Sequence, residues 1–265
     1  MLVSLDRNLE VMAKCIILTK IEDLLKVEAC ISKLPTSKLS FDYVAVPEDK
    51  FNSILNMDGI LHFSNAATYR LLASTLINDE VDTIIYLDGD ILVRSSINPS
   101  TFPSVTFAAL IELHPDSNVV YLPGYVNSGV YTTQLSYWRT HKCEEKLIEF
   151  LKKNPQSIYK DQDALNAIFS HLNSEPLVKD LNYIIQDYNF IHNLFSNPKI
   201  VHFAGPLKPW KLTTPNSKFV NEWRILANEL QLYPPQKIGL SDLILRVAYT
   251  LRIHFLVRRL RKLFW

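Results

Sequence analysis

In this chain of 265 residues, the stretch from Thr83 to Val93 (Thr-Ile-Ile-Tyr-Leu-Asp-Gly-Asp-Ile-Leu-Val) most narrows the choice of fold. Thr83–Leu87 is apolar, with β-branched and aromatic residues, and predicts a buried strand. It runs straight into two carboxylates one residue apart, Asp88 and Asp90, before apolar chain resumes. Carboxylates are costly to bury, so such a pair needs a partner that offsets its desolvation. A hard divalent cation is one: it takes oxygen ligands and, when held by one or two carboxylates, keeps positions open for phosphate. The other reading of the triplet alone is an ordinary turn after a strand, with Gly89 supplying the kink.

Around this segment, apolar strand patterns alternate with helical ones. Leu2–Leu5 predicts a strand and Leu9–Thr19 a helix. Phe41–Val46 predicts a strand ended by Pro47, followed by a helix around Asp49–Asn56 and another over Ala66–Ile77. Beyond the triplet, Val105–Glu112, Tyr125–Thr133 and Ile200–Ala204 read as strands. Gln134–Lys153, Asp161–Ser170 and Lys218–Leu230 read as helices. The alternation predicts an α/β fold, a mostly parallel sheet flanked by helices, with ligands at the carboxyl ends of its strands. Asp6 and Asp88 both fall just past the carboxyl end of a predicted strand.

Three later segments carry chemistry. Asn127-Ser128-Gly129 interrupts a strand with small polar residues. It is either a bulge or a place where a ligand approaches the backbone, and Asn127 suits sugar hydroxyls. Asp161-Gln162-Asp163 opens a helix, either as a cap in the favourable field of the helix start or as a binding group. His202 follows an apolar strand residue and precedes Gly205, Lys208 and Trp210. It is either a satisfied structural imidazole or a metal ligand, with Lys208 a point charge for phosphate.

In their order along residues 1–230, these segments resemble glycosyltransferase family 8, the retaining sugar-nucleotide transferases of GT-A fold, and within it bacterial lipopolysaccharide galactosyl- and glucosyltransferases. The motifs are Tyr86-Leu87-Asp88-Gly89-Asp90-Ile91-Leu92-Val93, Asn127-Ser128-Gly129-Val130, Asp161-Gln162-Asp163-Ala164-Leu165-Asn166 and His202-Phe203-x-Gly205-x-x-Lys208-Pro209-Trp210. The resemblance implies a GT-A-like Rossmann-type mixed sheet. It also implies Mn²⁺ (or Mg²⁺) on Asp88, Asp90 and His202, and a UDP-sugar donor gripped at its diphosphate by Gly205 and Lys208. Asn127 and Asp161 then contact the donor sugar, and Gln162 lies beside the anomeric carbon. Asp6 and Asn8 fall where the family binds uracil and ribose, and Arg70 matches a basic residue ahead of the acidic triplet. Glu112 falls near an acidic sugar-contacting position. Leu9 and Leu72 depart from the family, which often has an aromatic ring and a lysine there. Two rival readings are a catalytically silent sugar-nucleotide-binding scaffold and a phosphatase with Asp88 as nucleophile. The second leaves the later motifs without a role.

Charge is unevenly placed. From Lys237 onward there are seven Lys or Arg and one acidic residue, leaving 21 basic and 26 acidic side chains in the body. Ile253, Leu256, Val257, Leu260, Leu263 and Phe264 fall on one helical stripe, with Arg252, Arg258, Arg259, Arg261 and Lys262 around it. This pattern predicts an interfacial helix on an anionic leaflet. The expected organisation is a catalytic domain over 1–235 and a basic amphipathic tail over 236–265. The expected partners are a nucleotide sugar, a glycan or lipid-linked acceptor and an anionic membrane surface, and not nucleic acid. Scattered cysteines (Cys15, Cys30, Cys143), no signal-peptide pattern and no long apolar span predict a cytoplasmic protein at the inner face of the plasma membrane.

Overall fold

Strand β6 (Val126–Gln134) is the axis of the architecture, and eight of its nine residues are buried. In the computed structural model, which describes residues 1–47, 65–112, 124–185, 197–205, 207–232 and 247, β6 lies between two antiparallel neighbours. These are β3 (Thr83–Leu87) and β5 (Phe107–Ile111). A second pair, β1 (Ala13–Lys20) and β2 (Leu39–Val46), is parallel and in register over its whole length. A third sheet places β8 (Ile200–His202) between β4 (Ile91–Val93), antiparallel, and β7 (Tyr183–Ile184), parallel. The arrangement is therefore mixed, as the family resemblance implied, and not mostly parallel as the strand–helix alternation alone predicted. Among the described residues no α-helix lies between β3 and β6 to supply the crossover that parallel pairing requires.

The elements line up around one principal core. Trp138, Phe169, Phe107 and Tyr131 stack in sequence, with centroid separations of 4.7, 5.2 and 5.6 Å. Each ring removed from water contributes roughly 2–3 kcal/mol. The indole N–H of Trp138 donates to Thr133 Oγ1 at 2.8 Å, so its one polar atom is satisfied. Helices α4 (Leu135–Thr140), α5 (Cys143–Lys153) and α6 (Asp161–Phe169) cover this core. Ile16 and Leu18 of β1 pack on it alongside Ile84 and Tyr86 of β3, although the two strands belong to different sheets. On β4, Ile91 and Val93 face a second cluster, while Leu92 faces a third that contains α7 (Lys218–Glu229). A three-residue strand buried on both sides reads as an unbroken apolar run.

Several expectations are corrected near the amino end. Leu2–Asn8 is a helix, α1, and not a strand. The predicted helix over Leu9–Thr19 is replaced by β1, where stiff Ile16, Ile17 and Thr19 favour extended chain and β2 supplies a partner. Short apolar runs do not distinguish the two states by periodicity. The single helix expected over Gln134–Lys153 is two, α4 and α5. They are parted at Lys142, which adopts left-handed φ 51° and ψ 44°. The predicted helix over Ala66–Ile77 is a 3₁₀ segment (Asn65–Leu72) leading into one α-turn, α3 (Ala73–Leu76). The helix expected around Asp49–Asn56 and nearly all of the tail over 236–265 lie outside the described residues. Among the described residues no helix is long and apolar enough to cross a membrane. The three cysteines are free thiols, and burial pushes that of Cys15 up to about 11.

Candidate active site

Asp88 and Asp90 leave β3 and enter β4, and β8 pairs with β4 so that Ile91 lies opposite His202. That pairing carries an imidazole from more than a hundred residues away to the acidic triplet. His202 Nε2 stands 3.6 Å from Asp88 Oδ2 and 3.4 Å from Asp90 Oδ1. The donor atoms of all three lie within 4.8 Å of one another. Around an octahedral ion with bonds of about 2.1 Å, adjacent donors are about 3 Å apart, so a small rearrangement would close the set on Mg²⁺ or Mn²⁺. Two buried atoms of the group, Asp90 Oδ1 and His202 Nδ1, make no hydrogen bond. A carboxylate oxygen such as Asp90 Oδ1 left without a hydrogen bond is uncommon in a folded interior and fits a cation site. The donor set and its geometry therefore suit a divalent metal.

The ring of His202 occupies the space that Gly129 leaves. A Cβ added at Gly129 would lie 2.6 Å from Nδ1 and 2.7 Å from Nε2. The sequence left this stretch as a bulge or a place of ligand approach; the bulge is present, and the group that fills the space left by Gly129 is the imidazole. β6 bulges here. Its pairing with β5 jumps from Tyr131 to Asn127, so Ser128, Gly129 and Val130 stand out of that ladder. Asn127 Oδ1 closes the bulge by accepting from Gly129 N at 3.1 Å, an Asx turn.

Lys208 donates to Asp90 Oδ2 and to the carbonyl of Phe203, the latter at 2.6 Å. Burial opposes ionisation of Asp90, but the imidazole and the ammonium overcome it and hold the carboxyl well below its ordinary value. Gly205, at φ 82°, turns the chain from β8 toward Lys208.

On the other side, Arg70 is buried and joins two motifs. Its Nη2 meets Asp161 Oδ2 at 2.5 Å and its Nη1 lies 3.5 Å from Asp88 Oδ1. It donates to Ser128 O at 2.6 Å, and its guanidinium lies 4.6 Å from the centroid of the Tyr86 ring. Tyr86 in turn donates to Asp88 Oδ1 at 2.7 Å. Burial raises the Asp161 carboxyl above its ordinary value against the pull of Arg70. Gln162 Oε1 accepts from Ser128 N at 3.1 Å and lies 3.4 Å from Asn127 Nδ2. Its Nε2 faces Tyr125 Oη at 3.2 Å and Glu112 Oε2 at 3.5 Å. Asp88, Asp90, His202, Lys208, Arg70, Asn127, Asp161, Gln162 and Glu112 thus form one connected group.

Asp6 and Asn8 do not join it. Asp6 lies within α1, not past a strand, and its carboxylate accepts from Ser37 N, Lys38 N and Leu39 N at 2.9, 2.7 and 2.8 Å, fixing the start of β2. Asn8 Nδ2 donates to Ser4 O and Val93 O. The Asp6 carboxylate and the Asn8 Nδ2 group are thus directed at the protein's own backbone. Leu9 and Leu72, the two departures from the family pattern, are both buried core residues. Tyr86, Ser128 and Asp163 stood in the sequence motifs, and Tyr125 at a strand start, without a role of their own. The signal for Tyr86 was the strand period of two, which puts it on the same face as Asp88.

Comparison with known proteins places the chain among glycosyltransferase relatives. General stress protein A of Bacillus subtilis is 32% identical over 176 residues, covering 58% of this chain and 62% of that protein. The lipopolysaccharide 1,3-galactosyltransferase of Salmonella typhimurium is 27% identical over 173 residues, covering 56% and 50%. The chain thus spans less than two thirds of the length of either relative. Among solved structures, the galactosyltransferase LgtC in complex with donor and acceptor sugar analogs shares the fold. Its TM-score is 0.60 at 19% identity, over 84% of this chain and 98% of that one. The glycosyltransferase GlyE of Streptococcus pneumoniae gives 0.59 at 17%, over 95% and 60%. The fold is thus that of the GT-A-like neighbours. The family model for glycosyl transferase family 8 matches residues 17–214, and this chain belongs to that family.

Proposed function

We propose that this protein is a metal-dependent, retaining glycosyltransferase that moves a hexose, galactose or glucose, from a UDP-sugar to a glycan acceptor. The observation that carries the reading is the convergence of Asp88, Asp90 and His202, with two orphaned polar atoms among them. A divalent cation held there supplies a counter-charge for a departing nucleoside diphosphate. Lys208 adds a fixed positive charge beside the same group. Arg70, held between Asp88 and Asp161, keeps the two carboxylates at one spacing. Asn127 and Asp161 face the donor-sugar side of the group, next to Gln162. A neutral carboxamide is a weak nucleophile, so the role of Gln162 is to orient its oxygen at an electron-poor anomeric carbon. The acceptor hydroxyl then attacks on the face from which the diphosphate leaves, with a phosphate oxygen taking its proton.

The lipopolysaccharide transferases among the relatives support a lipopolysaccharide or other lipid-linked acceptor. The basic stripe after residue 236 supports attachment to an anionic membrane surface and a place at the cytoplasmic face. The test is a panel of nucleotide sugars with Mn²⁺, scored for release of nucleoside diphosphate and for the anomeric configuration of the product. Transfer with retention supports the proposal. Binding without turnover would indicate a silent sugar-nucleotide-binding scaffold, and cleavage of phosphate monoesters a phosphatase. Gln162→Ala should lose most turnover and keep donor affinity, and unchanged turnover would remove Gln162 from the mechanism.

A further inference from the structure

We infer that Tyr125 is a positioning residue for Gln162, fixing through Asp163 which end of the carboxamide faces the donor-sugar side; this rests on the reading of Gln162 given above. Asp163 is fully buried, and as a carboxylate it only accepts hydrogen bonds. It accepts from Ser157 Oγ at 2.5 Å and from Tyr125 Oη at 2.6 Å. The phenol has one proton, and Asp163 takes it. What Tyr125 offers to Gln162, at 3.2 Å, is therefore a lone pair, which only the amide nitrogen can meet. With Nε2 committed to Tyr125 and Glu112, Oε1 is turned toward the N–H of Ser128 and the amide of Asn127.

A carboxamide is nearly symmetrical in shape, and a flip would present two donors to Ser128 N–H and Asn127 Nδ2. The relay opposes that flip from the far end, where both members are buried and well packed. Its two ends come from different motifs: Tyr125 stands two residues before Asn127, and Asp163 follows Gln162 directly. The backbone supports the arrangement. Lys160, just ahead of α6, is held at φ 40° and ψ −102°, a region that non-glycine residues rarely occupy and that persists only where surroundings enforce it.

The test is a double-mutant cycle on turnover together with an activity-independent signal. Tyr125→Phe keeps the ring and deletes the hydroxyl. It should lower kcat about 10- to 100-fold, the usual scale for a reacting group displaced by a fraction of an ångström to an ångström, and leave donor KM within about twofold. In a Gln162→Ala background the same substitution should change kcat less than about twofold, because its effect passes through the missing carboxamide. Equal losses in both backgrounds, or unchanged kcat in the native background, would overturn the inference. If Gln162→Ala itself turns over normally, the reading of Gln162 fails and this inference with it. If Gln162→Ala is impaired while Tyr125→Phe is not, only the inference fails. Independently of any turnover, the side-chain amide protons of Gln162, identified by their loss in Gln162→Ala, should be displaced in the native protein. In Tyr125→Phe they should move toward free-amide positions, and unmoved resonances would reject the relay.

Discussion

Replacing Gly129 by alanine tests whether the metal site depends on a missing side chain. The added methyl would sit 2.6 Å from Nδ1 and 2.7 Å from Nε2 of His202, against the roughly 3.5 Å that carbon keeps from a non-bonded neighbour. Cε1 of the ring would lie closer still, so the imidazole must retreat by more than about 1 Å, because Gly129 is held in β6 and its carbonyl accepts from Asp88 N at 2.9 Å. Metal–ligand distances tolerate only about 0.2 Å, so the histidine is effectively lost as a ligand. Affinity for Mn²⁺ should fall about 10- to 100-fold, which at about 1.4 kcal/mol per factor of ten is roughly 1.4–2.8 kcal/mol. Overpacking should cost the metal-free fold about 1–3 kcal/mol more. The assay is Mn²⁺ titration followed by electron paramagnetic resonance of the free ion, with thermal unfolding measured with and without metal. Gly89→Ala is the control, since a Cβ there meets nothing within 4 Å, and it should bind Mn²⁺ as the native protein does. Native affinity in Gly129→Ala would refute the reasoning. So would a Gly129→Ala loss that His202→Ala does not reproduce, because the methyl would then be acting on something other than the imidazole.

Asp6 should contribute to acid stability. Burial opposes its ionisation, but the N–H groups of Ser37, Lys38 and Leu39 outweigh that and hold its carboxyl below the ordinary 3.8. A depressed carboxyl stabilises fully above the unfolded value and loses that contribution as pH falls through the folded one. Denaturant unfolding of Asp6→Asn should therefore show a shallower decline below about pH 4 and a loss of about 1–3 kcal/mol at neutral pH; parallel curves would disprove the assignment. Arg70→Leu leaves Asp161 buried without its cation and should cost about 3–5 kcal/mol in chemical unfolding, and a cost under 1 kcal/mol would deny the pair that role. Lys142→Gly relieves a left-handed residue between α4 and α5 and should raise stability by about 1 kcal/mol, read as a higher melting temperature; a lower one would contradict the strain. Deleting residues 238–265 should abolish binding to anionic liposomes and spare hydrolysis of the sugar nucleotide, and retained liposome binding would rule out the tail as the attachment.

The metal trio was legible because each member sits at the end of a strongly apolar strand, and strand ends are where an α/β fold gathers polar side chains. β3, β5 and β8 were readable as short apolar runs, although β3 is only half-buried, and β6 was readable despite the buried polar residues Asn127, Ser128, Thr132 and Thr133 along it. The amino end was not readable. Leu2–Leu5 and Cys15–Thr19 are short apolar runs whose state is decided by partners, namely the anchoring of Asp6 to the start of β2 and the pairing of β1 with β2. A long-range contact of that kind leaves no periodic trace. The break at Lys142 was equally hidden, since neither glycine nor proline marks it. Tyr125 and Asp163 stood in the sequence without an assigned partner for a different reason. Their function lies in the direction of a hydrogen bond, and residue spacing does not record direction.

Arg70 shows how the separate motifs become one site. Alone, the acidic triplet would be two partly buried carboxylates, and Asp161 a third in deeper burial, all repelling one another. One guanidinium, fixed by Ala67 O at 2.9 Å and Ser128 O at 2.6 Å, lies between Asp88 and Asp161 and also covers Tyr86. Lys208 does the same for Asp90 from the opposite side. With Asp161 paired to Arg70 and Asp90 to Lys208, the repulsion among the three carboxylates is reduced to about the single charge of Asp88. On the proposed function, a cation bound beside Asp90 would compete with Lys208 for that carboxylate and would free the ammonium for a phosphate oxygen. Donor affinity should therefore depend steeply on Mn²⁺ in the native protein and only weakly in Asp90→Asn, where Lys208 has no carboxylate to hold it.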